Sequence, residues 1–209
     1  MIKRFTLLVI LVFLGFSKSD GQIVAKWTML RLFDPVTPSI YLNGEFNPYK
    51  KSTKKTLQGS LGYGFWGNIQ ENERSISRTR TIRLGLEHRY YYTKEKFEGR
   101  YIGVGIETRN AFYDAEEWET VCPTNDCFEQ LQNQRFIRNS YSFTLRIGKV
   151  RNMGSNIYLE NYFGTGFKVS KKTGNSSDID NVYMFSTNHY FVPMLSMGIR
   201  IGYMFQPKQ

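Results

Sequence analysis

The sequence predicts an all-β chain, folded as an antiparallel up-and-down barrel that crosses a membrane with about eight strands. Three observations predict it. Apolar and polar residues alternate with a strict period of two in run after run, formal charge and glycine fall on the polar face of those runs, and a secretion signal stands at the front. Period-2 alternation gives a strand one apolar and one polar face. A soluble sheet shows the same alternation, but its recurrence with charge and glycine on the polar side is the pattern of a barrel with lipid outside and a charged interior.

The signal is short. Lys3 and Arg4 form a positive start, Phe5 to Phe16 is apolar, and Ser17, Ser19 and Gly21 follow. A spanning helix needs ~20 apolar residues, so residues 1–22 read as a signal peptide, cleaved between Ser19 and Ile23, and 23–209 as the barrel domain. No cysteine stands near the cleavage point, which argues against a lipid anchor. A mean hydropathy of −0.43 is compatible with a membrane protein whose strands show lipid only every second residue. Aromatic residues make up 16%, and Tyr and Phe gather at the ends of the alternating runs, where interfacial girdles would lie. The precursor carries +10; without Lys3, Arg4, Lys18 and Asp20 there remain 25 basic and 17 acidic residues. The basic residues are dispersed rather than striped, so nucleic acid is not an expected partner and anionic lipopolysaccharide is.

Eight alternating runs follow one another. The first covers about Val24 to Phe33 and the second Ser39 to Phe46, with Asp34-Pro-Val-Thr-Pro38 as the turn between them, since proline cannot donate to a ladder. A third runs from Thr56 to Gly67, a fourth from Ser77 to Tyr92 and a fifth from Gly99 to Tyr113. The sixth is the cleanest, with Tyr141, Phe143, Leu145 and Ile147 alternating with Ser142, Thr144, Arg146 and Gly148. Ile157 to Val169 and Leu195 to Phe205 complete the set. The links Thr93–Glu98 and Val150–Asn156 are short, whereas Asp114–Ile137 and Ser170–His189 are long. That parity is expected of periplasmic turns alternating with external loops.

Lipid is expected on Ile82, Leu84, Leu86, Ile102, Val104, Ile106, Phe143, Leu145, Ile147, Ile199, Ile201 and Phe205. The opposite face carries Arg83, Glu87, Arg89, Glu107, Arg109, Arg146, Glu160, Lys168 and Arg200. Eight strands enclose a bore that side chains just fill, and buried charges need partners, so these residues are expected to form a network of ion pairs that plugs the lumen. Inward glycines such as Gly85, Gly103, Gly148, Gly164 and Gly198 then leave room for long Arg and Glu side chains.

Candidates for other chemistry are few. Cys122 and Cys127 predict a disulfide closing a loop tip in an oxidising compartment, and no further Cys or His stands nearby to make a metal site. His88 falls on the outward register beside Tyr90, and His189 at a loop-to-strand junction; neither has a serine two residues away. No catalytic residue and no cofactor is therefore assigned. The long loops, one of them acidic and aromatic (Asp114, Glu116, Glu117, Trp118, Glu119), are the other place for binding.

Leu84-Gly-Leu-Glu-His-Arg-Tyr-Tyr-Tyr, followed by Gly99-Arg-Tyr-Ile-Gly-Val-Gly, resembles the central hairpin of small outer-membrane barrels of Gram-negative bacteria. Gly198-Ile-Arg-Ile-Gly-Tyr-Met-Phe resembles their last strand, although Gln206-Pro-Lys-Gln follows the aromatic residue. The resemblance implies outer-membrane localisation, handling by the barrel-insertion machinery and a non-enzymatic, structural, adhesive or ligand-binding role; a monomer is expected. Two alternatives stand beside it: an exported soluble barrel of lipocalin type binding an apolar ligand, and an outer-membrane lipid-modifying enzyme. The first alternative would turn Ile82, Leu84, Leu145, Ile199 and Ile201 into the lumen.

Overall fold

A computed structural model describes residues 22–29, 39–49, 52, 54–64, 67–71, 74–93, 97–122, 127–173 and 192–205. Residues 1–21 of the signal segment, the proline turn at 34–38 and His189 lie outside these residues. Nine strands are described: β1 (Ile23–Thr28), β2 (Ser39–Phe46), β3 (Lys55–Gly64), β4 (Gly67–Glu71), β5 (Arg74–Tyr91), β6 (Gly99–Val121), β7 (Phe128–Gly154), β8 (Ile157–Thr173) and β9 (Val192–Phe205). Every neighbouring pair is antiparallel. Following the pairings from β1 through β2, β3, β5, β6, β7, β8 and β9 leads back to β1, so eight strands close a ring. β4 extends the wall beyond β3 and pairs with the first part of β5. Closure leaves that ring without a free edge, which is what a sheet in lipid requires. Among the described residues no helix is long and apolar enough to cross a membrane.

The strands differ from the sequence expectation mainly at their ends. Of the run read as one strand from Thr56 to Gly67, β3 ends at Gly64, and Gly67 opens the separate β4. The stretch Asp114–Ile137, read as a loop, is instead the distal part of a hairpin: β6 has 23 residues, β7 has 27, and they pair from Gly99↔Val150 up to Val121↔Phe128. Its pattern hides the strands because polar residues occupy both registers, and with no apolar face there is no period of two to detect. The Cys122–Cys127 disulfide closes its tip. β8 likewise runs on to Thr173. At the opposite end β7 and β8 join through Ser155 and Asn156, with φ of 50° and 64°. Two consecutive left-handed residues make the tight turn whose twist suits a two-residue hairpin.

The outer face is apolar in a bounded band. On β6 the exposed Ile102, Val104 and Ile106 lie between Arg100 and Asn110; on β7 Tyr141, Phe143, Leu145 and Ile147 lie between Asn139 and Lys149; on β8 Phe163, Phe167 and Val169 lie between Asn161 and Lys171. The polar residues at each end are cross-strand partners: Arg100 with Lys149 and Lys149 with Asn161, then Asn110 with Asn139 and Asn139 with Lys171. Two polar rings thus bound the band ten residues apart on three adjacent strands, and ten residues at ~3.3 Å each, tilted by ~40°, rise about 25 Å. Leu84, Leu86, Ile199, Ile201 and Phe205 are exposed on the same outer surface, with Ile82 half-buried. The lipocalin alternative required such residues inside; the structure turns them outward and fills the inside with ions.

Candidate functional site

The interior divides into two levels. In the lower one, near the Ser155–Asn156 turn, strands from all round the ring bring together Lys26, Glu45, Glu87, Arg89, Arg146, Glu160 and Arg200, all buried. Glu160 accepts from Lys26 Nζ at 2.7 Å, Arg89 Nη2 at 2.9 Å, Arg200 Nη1 at 2.5 Å and Tyr101 OH at 2.7 Å. Glu45 is paired with Lys26 and with Arg89 Nη1 at 3.0 Å, and it also accepts from Tyr91 OH at 2.8 Å. Glu87 takes Arg89 Nε at 2.9 Å and Arg146 Nη1 at 2.6 Å. Two arginines also stack on rings: Arg89 Cζ stands 4.3 Å from the centroid of Tyr101, and Arg200 Cζ 4.0 Å from that of Tyr162. Ionised groups are stable out of water when opposite charge and hydrogen bonds surround them. This layer closes the bore.

Glycines set how tightly it packs. A Cβ at Gly103 would come within 2.5 Å of Glu87 Oε1, at Gly148 within 2.5 Å of the Tyr101 ring, and at Gly198 within 2.5 Å of Tyr162 OH. The space these glycines leave is therefore taken by tyrosine as much as by Arg and Glu.

The upper level is looser. Arg83, Glu107, Arg109, Ser140, Ser142 and Lys168 line a cavity of about 370 Å³, closed on another side by Met194–Met197 of β9. Arg83 Nη1 lies 3.7 Å from Glu107 Oε1, and Tyr41 OH donates to Glu107 Oε2 at 2.7 Å. The nine charges expected inside are thus split: Glu87, Arg89, Arg146, Glu160 and Arg200 below; Arg83, Glu107, Arg109 and Lys168 above.

Several interior residues escaped the sequence reading. Lys26 and Glu45 sit on the two strands with the weakest alternation, so their register carried no weight. Tyr91 and Tyr101, at run ends where interfacial aromatics are expected in general, point inward with 0% exposure and hydrogen-bond carboxylates. The signal was present in their spacing: both share the parity of Arg89 and Gly103 on their strands. His88 is half-buried against Tyr49 in an edge-to-face contact, with centroids 5.7 Å apart. Among the described residues no group of three or more His, Cys, Asp and Glu is placed to hold a metal ion. Asp114 of the hairpin pairs with the exposed Arg135 at 2.9 Å.

The profile of a family described as "Protein of unknown function (DUF3575)" matches residues 6–205. The chain belongs to that family. Among curated proteins none matches it. Among solved structures, a major outer membrane protein from Thermus thermophilus is similar, with a TM-score of 0.50 over 88% of this chain and 98% of that one, at 12% identity. At that identity the likeness is one of fold, and for this DUF3575 chain it agrees with the closed antiparallel ring.

Proposed function

We propose that this DUF3575 protein is a monomeric, non-enzymatic outer-membrane barrel with a plugged bore, working as a structural, adhesive or ligand-binding element through its external hairpin and loops. The apolar band between two polar rings carries the reading. Its height of about 25 Å matches the hydrocarbon-facing band of outer-membrane barrels, and a soluble barrel gains nothing from placing so many large apolar side chains outside. The barrel fold shared with an outer membrane protein supports the same location. Lipid and lipopolysaccharide then cover the outer surface. The last strand, with Tyr203 and Phe205 on its outer face, suits recognition by the barrel-insertion machinery.

Fractionation of expressing cells, with gel mobility compared before and after heating, tests the reading. The expected result is a membrane-retained band whose mobility changes on heating. Release by a salt wash with unchanged mobility would overturn it.

A further inference from the structure

Above the polar ring at Asn110, Asn139 and Lys171 the wall is uneven. There β3 ends at Gly64 and β8 at Thr173, whereas β5, β6 and β7 continue outward, flanked by the short β4. Among the described residues, β7 from Phe128 to Phe136 pairs with β6 on one side and with no strand on the other. An exposed strand edge is a template for another strand, and proteins blunt such edges with lysine, proline or short length. This one is not blunted. Phe128-Glu-Gln-Leu-Gln-Asn-Gln-Arg-Phe136 is nine residues long, holds no Lys or Pro, and leaves Phe128 and Leu131 exposed. Its charges are one of each sign, Glu129 near the tip and Arg135 near the base, both exposed. Arg135 Nε donates to Asp114, yet the arginine side chain stays 88% exposed.

We propose that this edge pairs with the same edge of a second copy of the chain held in a facing membrane, so that one continuous sheet joins two membranes. The inference rests on the outer-membrane reading and gives its adhesive role a partner. Antiparallel pairing about Gln132 sets Phe128 opposite Phe136, Glu129 opposite Arg135 and Leu131 opposite Asn133. The contact is isologous, so each of these pairs occurs twice. Opposite charges directly across an antiparallel ladder stabilise it, and this register turns the two charges of the strand into two such pairs. Strand direction then fixes how the membranes lie. β7 runs from the hairpin tip toward the Ser155–Asn156 turn, so an antiparallel partner stands inverted, with its own barrel on the far side. Copies in one membrane would present their β7 edges in parallel, which keeps Glu129 of one and Arg135 of the other at different heights. Each barrel is thus a monomer within its own membrane. Main-chain hydrogen bonds along the added strand supply affinity, and many weak contacts between two surfaces reinforce one another.

Vesicle clustering tests it. The full chain is inserted from outside into preformed vesicles of zwitterionic lipid. Heat-shifted gel mobility reports that the barrel is folded, and protease accessibility that the hairpin faces outward. Light scattering is expected to show clustering that rises with the number of copies per vesicle. Glu129→Arg makes both charge pairs repulsive and is expected to slow clustering about tenfold. Arg135→Glu is expected to do the same with the opposite sign. Mixing vesicles of the two variants is expected to restore clustering, because each then faces the charge it lacks; the double variant is expected to cluster with itself. If Arg135→Glu, set beside Asp114, does not fold, the loss in Glu129→Arg decides. No clustering by the folded, outward-facing parent would overturn the inference and leave the barrel reading standing, and an edge taken by residues 174–191 of the same chain would give that result. Clustering that both variants retain, or that their mixture does not restore, belongs to another surface and also overturns it. A chain that never gains the heat-shifted form overturns the barrel reading and the inference with it.

Discussion

Glu160 holds four donors at once, Lys26, Arg89, Tyr101 and Arg200, in a layer that is buried throughout. Breaking a buried ion pair by neutralising one member costs ~3–5 kcal/mol, because the remaining charge stays desolvated. Glu160→Gln is accordingly expected to lower stability by about that amount in urea unfolding from micelles. Tyr101→Phe removes one hydroxyl bond to the same carboxylate and is expected to cost ~1.5–3 kcal/mol. Glycine supplies a second contrast at this scale. Gly148→Ala drives a methyl into the Tyr101 ring and is expected to cost ~1–3 kcal/mol. At Gly59 nothing lies within 4 Å of the added methyl, and Gly59→Ala is expected to stay within about 0.5 kcal/mol of the parent. Alternation already places these two glycines on opposite faces, Gly148 with Arg146 and Gly59 with Leu57 and Leu61; that Tyr101 is what a methyl at Gly148 would meet is decided by the opposite strand.

The hairpin of β6 and β7 is the element that departs furthest from its sequence reading. Its proximal half, Tyr141 to Ile147 against Ile102 to Ile106, was legible because one face is apolar. Beyond Ile137, among the described residues, the two strands pair with one another and β6 with β5. The disulfide closes only a short loop, so its entropic contribution is local. Replacing both Cys122 and Cys127 by Ser is expected to open the tip to proteases while leaving the heat-dependent mobility of the barrel unchanged. Loss of that mobility shift would mean that the tip supports the ring itself. Limited proteolysis followed by unheated electrophoresis checks both outcomes.

At the scale of the whole barrel, the band on the outer face and the ions within it depend on each other. Closing eight strands buries whatever points inward, and a wall immersed in lipid must be apolar outside. A charge placed in the middle of the band costs ~2–4 kcal/mol and one near its edge ~0–1 kcal/mol. Leu145→Arg is therefore expected to destabilise the protein in bilayers by the larger amount. Met153→Arg, beyond the Lys149 ring, is expected to cause little change. Equal costs at the two positions, measured by urea unfolding from vesicles, would move the band or remove the lipid. A plugged bore also predicts no steady conductance when the protein is inserted into planar bilayers.

Alternation determined by itself that the chain is a set of strands with one apolar face, and glycine and charge on the other face determined that the polar side was the crowded interior. Both are local properties, written at spacings of two residues. Which residues meet was decided by closure of the ring. Lys26 reaches Glu160 across 134 positions of sequence, and Arg83 stands opposite Arg109 because β5 and β6 pair in that register and no other. Period-2 patterning carries no information about partners on other strands, so the ion-paired layer and the cavity above it exist only in the folded barrel.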